Sequence, residues 1–171
     1  HASLITNTTG ASNVAVGVDA LKANTTASNN TAVGNKSLEA NTTGTQNVAV
    51  GALALDANTT TSDSVAIGYA SLTTATIGSN TAVGSESMQF TTTGANNVGI
   101  GLQALRQNTT GTRNNALGST SLDANTTGSY NNAFGFNSLG ANTTGEENVA
   151  MGDNAGAANT TGDKNTAIGT S

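Results

Sequence analysis

The residue types that most often perform catalysis are scarce in this chain of 171 residues. A Ser-His-Asp arrangement needs a histidine to take the proton of the nucleophile, and the single histidine, His1, is the terminal residue. Zinc sites are built from clusters of Cys and His, and the sequence contains no Cys. We therefore predict no catalytic residue, no metal ligand and no cofactor, and we interpret the chain as not being an enzyme.

Carboxylates are the remaining groups that could work as a paired acid and base. They fall at different positions of the repeat described below, and only Glu146 and Glu147 are adjacent in the chain. We interpret all of them as solvated surface charge. By position in the repeat, they include Asp19 and Glu86 (position 2), Glu39, Asp56 and Asp123 (position 5), and Asp63 and Glu147 (position 12).

A glycine motif resembles a dinucleotide fingerprint. Gly99, Gly101 and Ala104 have the G-x-G-x-x-A spacing. A true fingerprint lies between a strand and a helix and has an acidic residue ~20 positions further on. Here Gly101 belongs to a repeat and the context is missing, so we predict no nucleotide site.

Composition and charge exclude further classes of function. The net charge of -5 gives no basic surface for nucleic acid. No apolar run approaches the ~20 residues needed to cross a bilayer, so we predict no membrane insertion in this segment. Aromatic residues are only 3% and charged residues 9%, which indicates neither an ordinary globular core nor ordinary disorder.

One phrase, Asn-(Val/Thr)-Ala-(Val/Ile)-Gly, recurs along the whole chain. Its glycines are 17 residues apart, except for an interval of 16 between Gly68 and Gly84. Ten copies therefore fill residues 1–171 as a single repeat array, and the copy at 69–84 is one residue short. We number each copy from the residue after the preceding glycine, so that the terminal glycine is position 17. These glycines are Gly17, Gly34, Gly51, Gly68, Gly84, Gly101, Gly118, Gly135, Gly152 and Gly169.

The positions of the copies form columns. Position 4 is Leu or Met in nine of the ten copies, and position 16 is apolar in all ten. Position 8 is Thr in all ten copies, and position 13 is Asn in nine. A unit of this size cannot bury its apolar residues alone and must stack on copies of itself. The sequence therefore predicts an all-β fold, a parallel β-solenoid (β-roll) of ten coils of ~17 residues, spaced ~4.8 Å apart in a rod of ~48 Å.

Within each coil we predict two short strands and two turns. The first strand is Asn-Val-Ala-Val-Gly, and the second lies in the Leu-containing segment before Asn-Thr-Thr-Gly. The corner Asn-Thr-Thr-Gly is expected to use Asn for a side-chain turn and Gly for a positive φ. The Asn column at position 13 is expected to pass amide hydrogen bonds from coil to coil.

Successive strand residues point to opposite faces, and position 15 is small and apolar throughout. We predict that this column faces away from the coil interior and packs against copies of the same chain, as in a homotrimeric rod. The predicted interface residues are Ala15, Ala32, Ala49, Ala66, Ala82, Ala116, Ala133, Ala150 and Ala167.

Two further columns have alternative interpretations. Regular ranks of Thr, here at positions 8 and 9, could match an ice lattice, but neighbouring residues point to opposite faces, so only one column can lie on a given surface. Turn formation also explains these threonines and is the interpretation we favour, and Ile77 interrupts the column at position 9. Eight Asn-Thr-Thr sequons, from Asn7 to Asn159, match the N-glycosylation motif, and we interpret them as turns.

The segments "NVAVGALAL", "DSVAIGYASL" and "NTAVGSESM" resemble the Ser/Asn-Val-Ala-Ile-Gly-x-x-Ser repeats in the heads of trimeric autotransporter adhesins. The longer form, with Asn-Thr-Thr-Gly after the Leu, is similar to repeats of bacteriophage tail fibres and of large bacterial surface fibres. The resemblance covers all ten copies. It implies a left-handed parallel β-roll in which three chains pack about a common axis.

The repeat and the resemblance together predict a structural and adhesive fibre segment, a fragment of a longer fibre. Its expected location is extracellular, on a bacterial cell surface or a virion appendage. Its expected partners are two further copies of itself and a cell-surface or matrix ligand, a glycan or a protein. The alternatives are a phage tail-fibre shaft and, from another class, an ice-binding β-solenoid.

Overall fold

The computed structural model describes residues 2–170, and this part of the chain forms one parallel β-sheet of ten strands without any helix. Every copy contributes one strand of three residues, and the strands pair in sequence order from β1 to β10. The strands are β1 (Val14–Val16), β2 (Thr31–Val33), β3 (Val48–Val50), β4 (Val65–Ile67), β5 (Thr81–Val83), β6 (Val98–Ile100), β7 (Asn115–Leu117), β8 (Asn132–Phe134), β9 (Val149–Met151) and β10 (Thr166–Ile168).

The register of the sheet follows the repeat. Ala15 pairs with Ala32, one full copy later, and the same offset holds along the sheet. At the short copy the offset falls by one, so that Val65 pairs with Thr81, and regular pairing resumes in the next coil. The predicted parallel β-solenoid with coils of about 17 residues is thereby confirmed.

The predicted second strand of each coil is wrong. In the Leu-containing segment, positions 2 and 4 have positive φ, for example 58° at Lys36 and 50° at Leu38, whereas a strand needs strongly negative φ at every residue. The segment is a series of turns that still bonds to the next coil. The N–H of Leu38 donates to the Ala54 carbonyl (3.0 Å), and that of Ala40 donates to the Asp56 carbonyl (3.0 Å).

The interior of the rod is made of a large and a small apolar column. Leu38 and its equivalents at position 4 of copies two to nine are buried, and they form one core cluster with the buried alanines at position 15 and with alanines at position 3 such as Ala54. The coil is so narrow that one Leu and one or two Ala side chains fill its apolar interior. Burial of this ladder is the main apolar contribution to folding.

Glycine at position 17 turns the chain out of the strand. Gly34 has φ of 139°, a conformation that side chains disfavour. A Cβ atom there would also overlap the carbonyl group of Gly51 in the next coil. Both constraints recur at each coil that has a successor, which accounts for the strict spacing of this glycine.

The glycine of the Asn-Thr-Thr-Gly corner has a different role from the one predicted. Gly44 does not have a positive φ, so the expectation of a left-handed glycine in this corner was wrong. The requirement is space, because a Cβ atom at Gly44 would overlap the Thr61 carbonyl oxygen of the next coil. The left-handed residues of each coil instead lie at positions 2, 4 and 12, mostly occupied by residues other than glycine.

Two ladders of asparagine run beside the apolar core. At position 13, the Oδ1 atom of Asn30 accepts the N–H of Asn47 (3.0 Å), and its Nδ2 donates to the Gly44 carbonyl (2.8 Å). In the carboxyl-terminal copies the amides also bond to each other, as from Asn131 to Asn114 (3.2 Å). The predicted amide bonds between coils are therefore confirmed at this column.

The second ladder, at position 7, had not been predicted as a ladder. Asn41 Nδ2 donates to Asn24 Oδ1 (3.1 Å) and to the Gly44 carbonyl three residues later (3.0 Å). The same side chain thus closes its own corner and joins two coils. Because these amides are fully buried, each bond also prevents the cost of an unpaired polar group.

The short fifth copy is a local fault in the stack. Its corner carries Ala75 where other copies carry the ladder asparagine, and the sixth copy carries Thr91 at the same position. The position-7 ladder is consequently interrupted between Asn58 and Asn108. Within residues 2–170, the buried hydroxyls of Ser64 and Thr91, on either side of the fault, have no hydrogen-bond partner. The strands keep their register, so the deletion is absorbed in the corner, as predicted.

Candidate functional site

The charged side chains nearest to a paired arrangement lie at positions 2 and 5 of the first coils. Lys36 contacts Glu39 at 3.3 Å, and Lys22 contacts Glu39 at 3.7 Å and Asp19 at 3.4 Å. Asp56 follows Glu39 in the same column, and burial, with a smaller contribution from Glu39, raises its pKa above the ordinary value of 3.8. The pairs are partly solvated ion pairs, which contribute little to stability.

A second charged group occupies copies six to eight. Arg106 Nε lies 3.2 Å from Glu86 Oε2, and its guanidinium stacks over the ring of Phe90 at 5.4 Å. Burial raises the pKa of the Asp123 carboxyl, with Arg106 opposing and Glu86 adding to the shift. One oxygen of Asp123, Oδ1, is buried and has no hydrogen-bond partner within residues 2–170.

These groups do not converge on a cavity. The described part of the chain has neither a pocket nor a cluster of three or more potential metal ligands. Gly99 lies inside β6 rather than in a phosphate-binding loop, and a Cβ atom there would come within 2.9 Å of Met88 Cγ. His1, the one histidine considered for catalysis, is outside the described residues.

The sequon asparagines lie inside the rod, in the corners where turns were predicted. Asn41, Asn58 and their equivalents at position 7 in the inner copies are fully buried, and their amide nitrogens donate within the ladder. A glycan on Nδ2 would replace one of these donors and could not be accommodated in the folded chain. The sequons are therefore structural corners in the folded state.

The two threonine columns differ in exposure, as expected for neighbouring residues. Every described Thr at position 9 is exposed, and Ile77 interrupts the column with 43% of its surface exposed. The threonines at position 8 instead bond to the next coil, for example Thr42 Oγ1 to the Thr59 carbonyl (2.9 Å). Only one hydroxyl rank therefore faces solvent.

The alanine column faces the interior, so the predicted orientation of the strand was reversed. Seven of the predicted interface alanines, Ala32, Ala49, Ala66, Ala82, Ala116, Ala133 and Ala150, have no exposed surface in the single chain. Ala15 and Ala167, in the end coils, are partly buried against the same core. The physical reason is size, because the Leu column fills most of the coil and leaves room only for a methyl group. These alanines have no surface to offer to another chain.

The outward side of the sheet is an uncharged and largely apolar face. We define the apolar face as the first and last residues of strands β1 to β10, which are half-buried or exposed. The last residue of every strand is apolar, and neither column contains a charged residue in any copy. Exposed fractions reach 38% at Ile67, 39% at Ile100 and 49% at Met151. A face of this length without charge is typical of an interaction surface.

In four copies the apolar surface continues around the glycine corner. There position 1, just after the glycine, carries Val18, Tyr69, Leu102 or Phe136, with exposed fractions of 41%, 55%, 51% and 52%, whereas most other copies carry a polar residue at this position. We call these four residues the corner residues. The rod therefore presents apolar groups on two adjoining sides that meet at the glycine column.

Sequence reasoning missed this face, although a signal for it exists. Position 14 varies among Val, Thr and Asn, whereas position 15 is only Ala or Gly. A column that tolerates polar residues but varies in size is typical of an outer surface, and a column limited to the smallest residues is typical of a tight interior.

Searches with the whole chain against protein-family models, curated proteins and solved structures found no match. No helix within residues 2–170 is both long and apolar enough to cross a bilayer.

Proposed function

We propose that this chain is a structural and adhesive fibre segment in which three copies pack side by side through the apolar face. The observation that carries the proposal is that face, an uncharged surface that runs along all ten coils, in a rod whose described residues, 2–170, form no pocket. Uncharged apolar patches of several hundred Å² are among the largest that single chains expose, and such patches are often functional.

The area of the apolar face favours an assembly of three chains over one of two. A three-residue strand is ~10 Å wide and ten coils are ~48 Å tall, which gives a flat area of ~480 Å². A stable interface buries ~800 Å² per partner, so the apolar face alone is too small for a pair. In a closed threefold ring, each chain contacts two neighbours through two different surfaces. The three apolar faces would then point toward a common axis, where each meets both neighbours, and the corner residues beside each face would add to the contact.

The adhesive part of the proposal rests on the sides that such a bundle leaves free. The Thr column at position 9 and the varied residues at position 12 are exposed. They would offer shallow contacts repeated along each of three chains, and repetition of weak contacts strengthens attachment. The proposed ligand is a glycan or protein of a cell surface or matrix, and the proposed location is a bacterial surface or a virion appendage.

The oligomeric state is the direct test. Sedimentation equilibrium of the chain should give the mass of three copies. The variant Ile100→Glu should give monomers with unchanged β-type circular dichroism, because its side chain points outward and a charge would be buried only in the assembly. Thr110→Glu, at an exposed position of the next copy, should remain trimeric. A monomeric unmodified chain would overturn the proposal.

Adhesion is tested separately on the trimer. Labelled trimers should bind members of glycan or matrix-protein arrays, and clustering of trimers should increase binding. Intact trimers that bind nothing would favour the alternative of a fibre shaft, as in a phage tail fibre, which holds a tip at a distance without contacting the target.

Ice binding is the second candidate, and the exposed threonines at position 9 favour it. Against it, the hydroxyls at position 8 bond within the rod and Ile77 breaks the outer rank. We expect no thermal hysteresis and no ice shaping, either in the unmodified chain or after Ile77→Thr. Clear hysteresis would replace the fibre proposal with this one.

A further inference from the structure

A fibre of nearly identical coils has a difficulty with axial alignment. The apolar face repeats with the coil spacing of ~4.8 Å, so a neighbouring chain can slide by one coil and find almost the same contacts. Pairing is weakly specified when a surface repeats without distinguishing features. If chains pack along this face, some residues on it must distinguish the correct level from its neighbours.

Two adjacent residues of the apolar face depart from the repeat in the required way. Asn115 and Asn132 occupy the first position of β7 and β8, where all other strands carry Val or Thr. Asn115 Nδ2 donates to Asn132 Oδ1 at 2.8 Å, and both residues are half-buried in the single chain. Asn132 takes part in this bond as the acceptor, through Oδ1, so its Nδ2 group can donate to a neighbouring chain.

We infer that Asn115 and Asn132 set the axial register between copies of this chain, an inference that rests on the proposed fibre. With chains level, the asparagines of each copy meet those of its neighbours and can exchange amide hydrogen bonds. A slide by one coil leaves Asn115 facing Val98 on one side and Asn132 facing Val149 on the other. A slide by two coils removes every contact between asparagines, because each of them then faces a Val or a Thr of the neighbouring chain.

The cost of a slide comes from burial without a partner. A buried amide that loses its hydrogen bonds forfeits the interactions that water had supplied. A single buried Asn fixes the register of coiled coils by the same physics. The large residues beside the pair, Leu117, Phe134 and Met151, discriminate less, because apolar contacts of different size can repack and Met is especially adaptable.

Because the sequence contains no cysteine, any disulfide that forms must join two introduced thiols. One chain carries Val48→Cys and a second carries Thr81→Cys, both at the first position of a strand and two coils apart. The two are unfolded, mixed, refolded together and oxidised. Level chains bring like thiols together, whereas chains displaced by two coils bring thiol 48 to thiol 81, since a disulfide needs Cα atoms within ~7 Å.

In chains that keep Asn115 and Asn132, disulfides between two thiols at the same position (like disulfides) should exceed those between positions 48 and 81 (unlike disulfides) at least tenfold. In the Asn115→Val, Asn132→Val background, unlike disulfides should become comparable to like ones, with the trimer mass retained. The control background Thr31→Val, Thr166→Val removes two polar groups from the same column and should keep the preference for like pairs. If the valine variant folds poorly, Asn115→Thr with Asn132→Thr uses a residue that this column already carries.

The outcomes separate the inference from the function on which it rests. Trimers of the asparagine-free variant that still form only like disulfides would overturn the register inference and leave the fibre intact. A monomeric natural chain would overturn the proposed fibre itself, and the mass measurement reports this independently of the disulfides.

Discussion

At the residue scale, the fold depends on asparagines whose amide hydrogens are fully used. Asn41 donates to Asn24 Oδ1 and to the Gly44 carbonyl, and its own Oδ1 accepts from Asn58. No other side chain of this length supplies two donors and an acceptor without charge. The column therefore demands Asn rather than any polar residue of similar size.

Asn41→Asp tests that demand. The change keeps the shape but replaces two donors by a carboxylate oxygen, which then faces the oxygens of Asn24 and Gly44. We expect a loss of at least ~3 kcal/mol, because each buried acceptor left unpaired costs ~1–3 kcal/mol and a buried charge adds to this. Urea unfolding followed by circular dichroism measures it. Asn29→Asp, at an exposed position with φ of 61°, should change stability by less than ~0.5 kcal/mol.

Asp123 should make stability depend on pH. Burial raises its pKa in the folded chain above the ordinary value of 3.8. A raised folded pKa means that the stabilising contribution is present in full below the ordinary value and is lost as pH rises through the folded value. Asp123→Asn should therefore raise Tm at pH 7 and reduce the difference between Tm at pH 7 and at pH 4.

The matched control for this prediction is Asp63→Asn, at an exposed position. It should leave both Tm values close to those of the unmodified chain. An equal response of the two variants would show that general surface charge, rather than burial at Asp123, governs the pH dependence.

The sequence predicted which residues repeat but assigned one face of the strand wrongly. Alternation separates positions 14 and 16 from position 15, yet it does not say which set points inward. In a coil this narrow, the size of the side chains decides which set points inward. The sixth copy illustrates it, because Met88 replaces Leu where Gly99 replaces Ala, and a Cβ at Gly99 would come within 2.9 Å of Met88 Cγ. The absence of a Cβ at Gly99 makes room for the longer side chain.

At the element scale, the coil is held by bonds to its neighbours rather than by its own strand. Only three residues of each copy form the strand, but positions 2, 4, 6, 8 and 12 also carry backbone bonds between coils. The short run of apolar residues in this segment suggested a strand in the sequence. In the structure positions 3 and 4 are both buried, and left-handed residues at positions 2 and 4 turn the backbone, so the segment is not extended.

The fault around the fifth coil offers a stabilising substitution. Thr91 has a buried hydroxyl without a hydrogen-bond partner among residues 2–170 and lies next to Asn108 in the interrupted column. Thr91→Asn should accept a hydrogen bond from the Asn108 amide and extend the ladder by one coil. We expect a gain of ~1 kcal/mol, the usual net value of a hydrogen bond in a folded protein.

Differential scanning calorimetry measures this gain as a rise in Tm. Thr93→Asn, an exposed change in the same copy, should leave Tm unchanged. A lower Tm for Thr91→Asn would mean that the corner of the sixth coil is too small for an amide, and that the fault is required by packing.

At the scale of the whole molecule, each coil contacts only its neighbours, so stability is a sum over coils and their interfaces. The repeat was sufficient to predict this architecture, because a period of 17 residues that includes β-branched strands admits few other solutions. The proposed lateral association of chains is less predictable from the sequence. It depends on which face is outward, and that depends on packing within the coil.

Deletion of residues 35–51 removes one whole copy and joins Gly34 to Ala52, which follows a glycine in the natural chain as well. We expect a folded rod shorter by ~4.8 Å and somewhat less stable, as seen by small-angle scattering and thermal unfolding. Deletion of residues 35–42 leaves too few residues to complete a coil and should abolish the parallel sheet. If both deletion variants were unfolded, stability would not be a sum over independent coils and their interfaces.

The amide hydrogen bonds of the ladder at position 7 all point the same way along the rod, so the ladder has a net dipole along the axis. Backbone donors point both ways along the axis, as from Leu21 to the following coil and from Gly34 to the preceding one. The ladder amides all donate toward the preceding coil, so their dipoles add in series and polarise one another. The missing amide bonds between Asn58 and Asn108 divide the ladder into two separate rows of aligned dipoles. Rejoining them would therefore lengthen the uninterrupted row of aligned dipoles and strengthen the field at its ends.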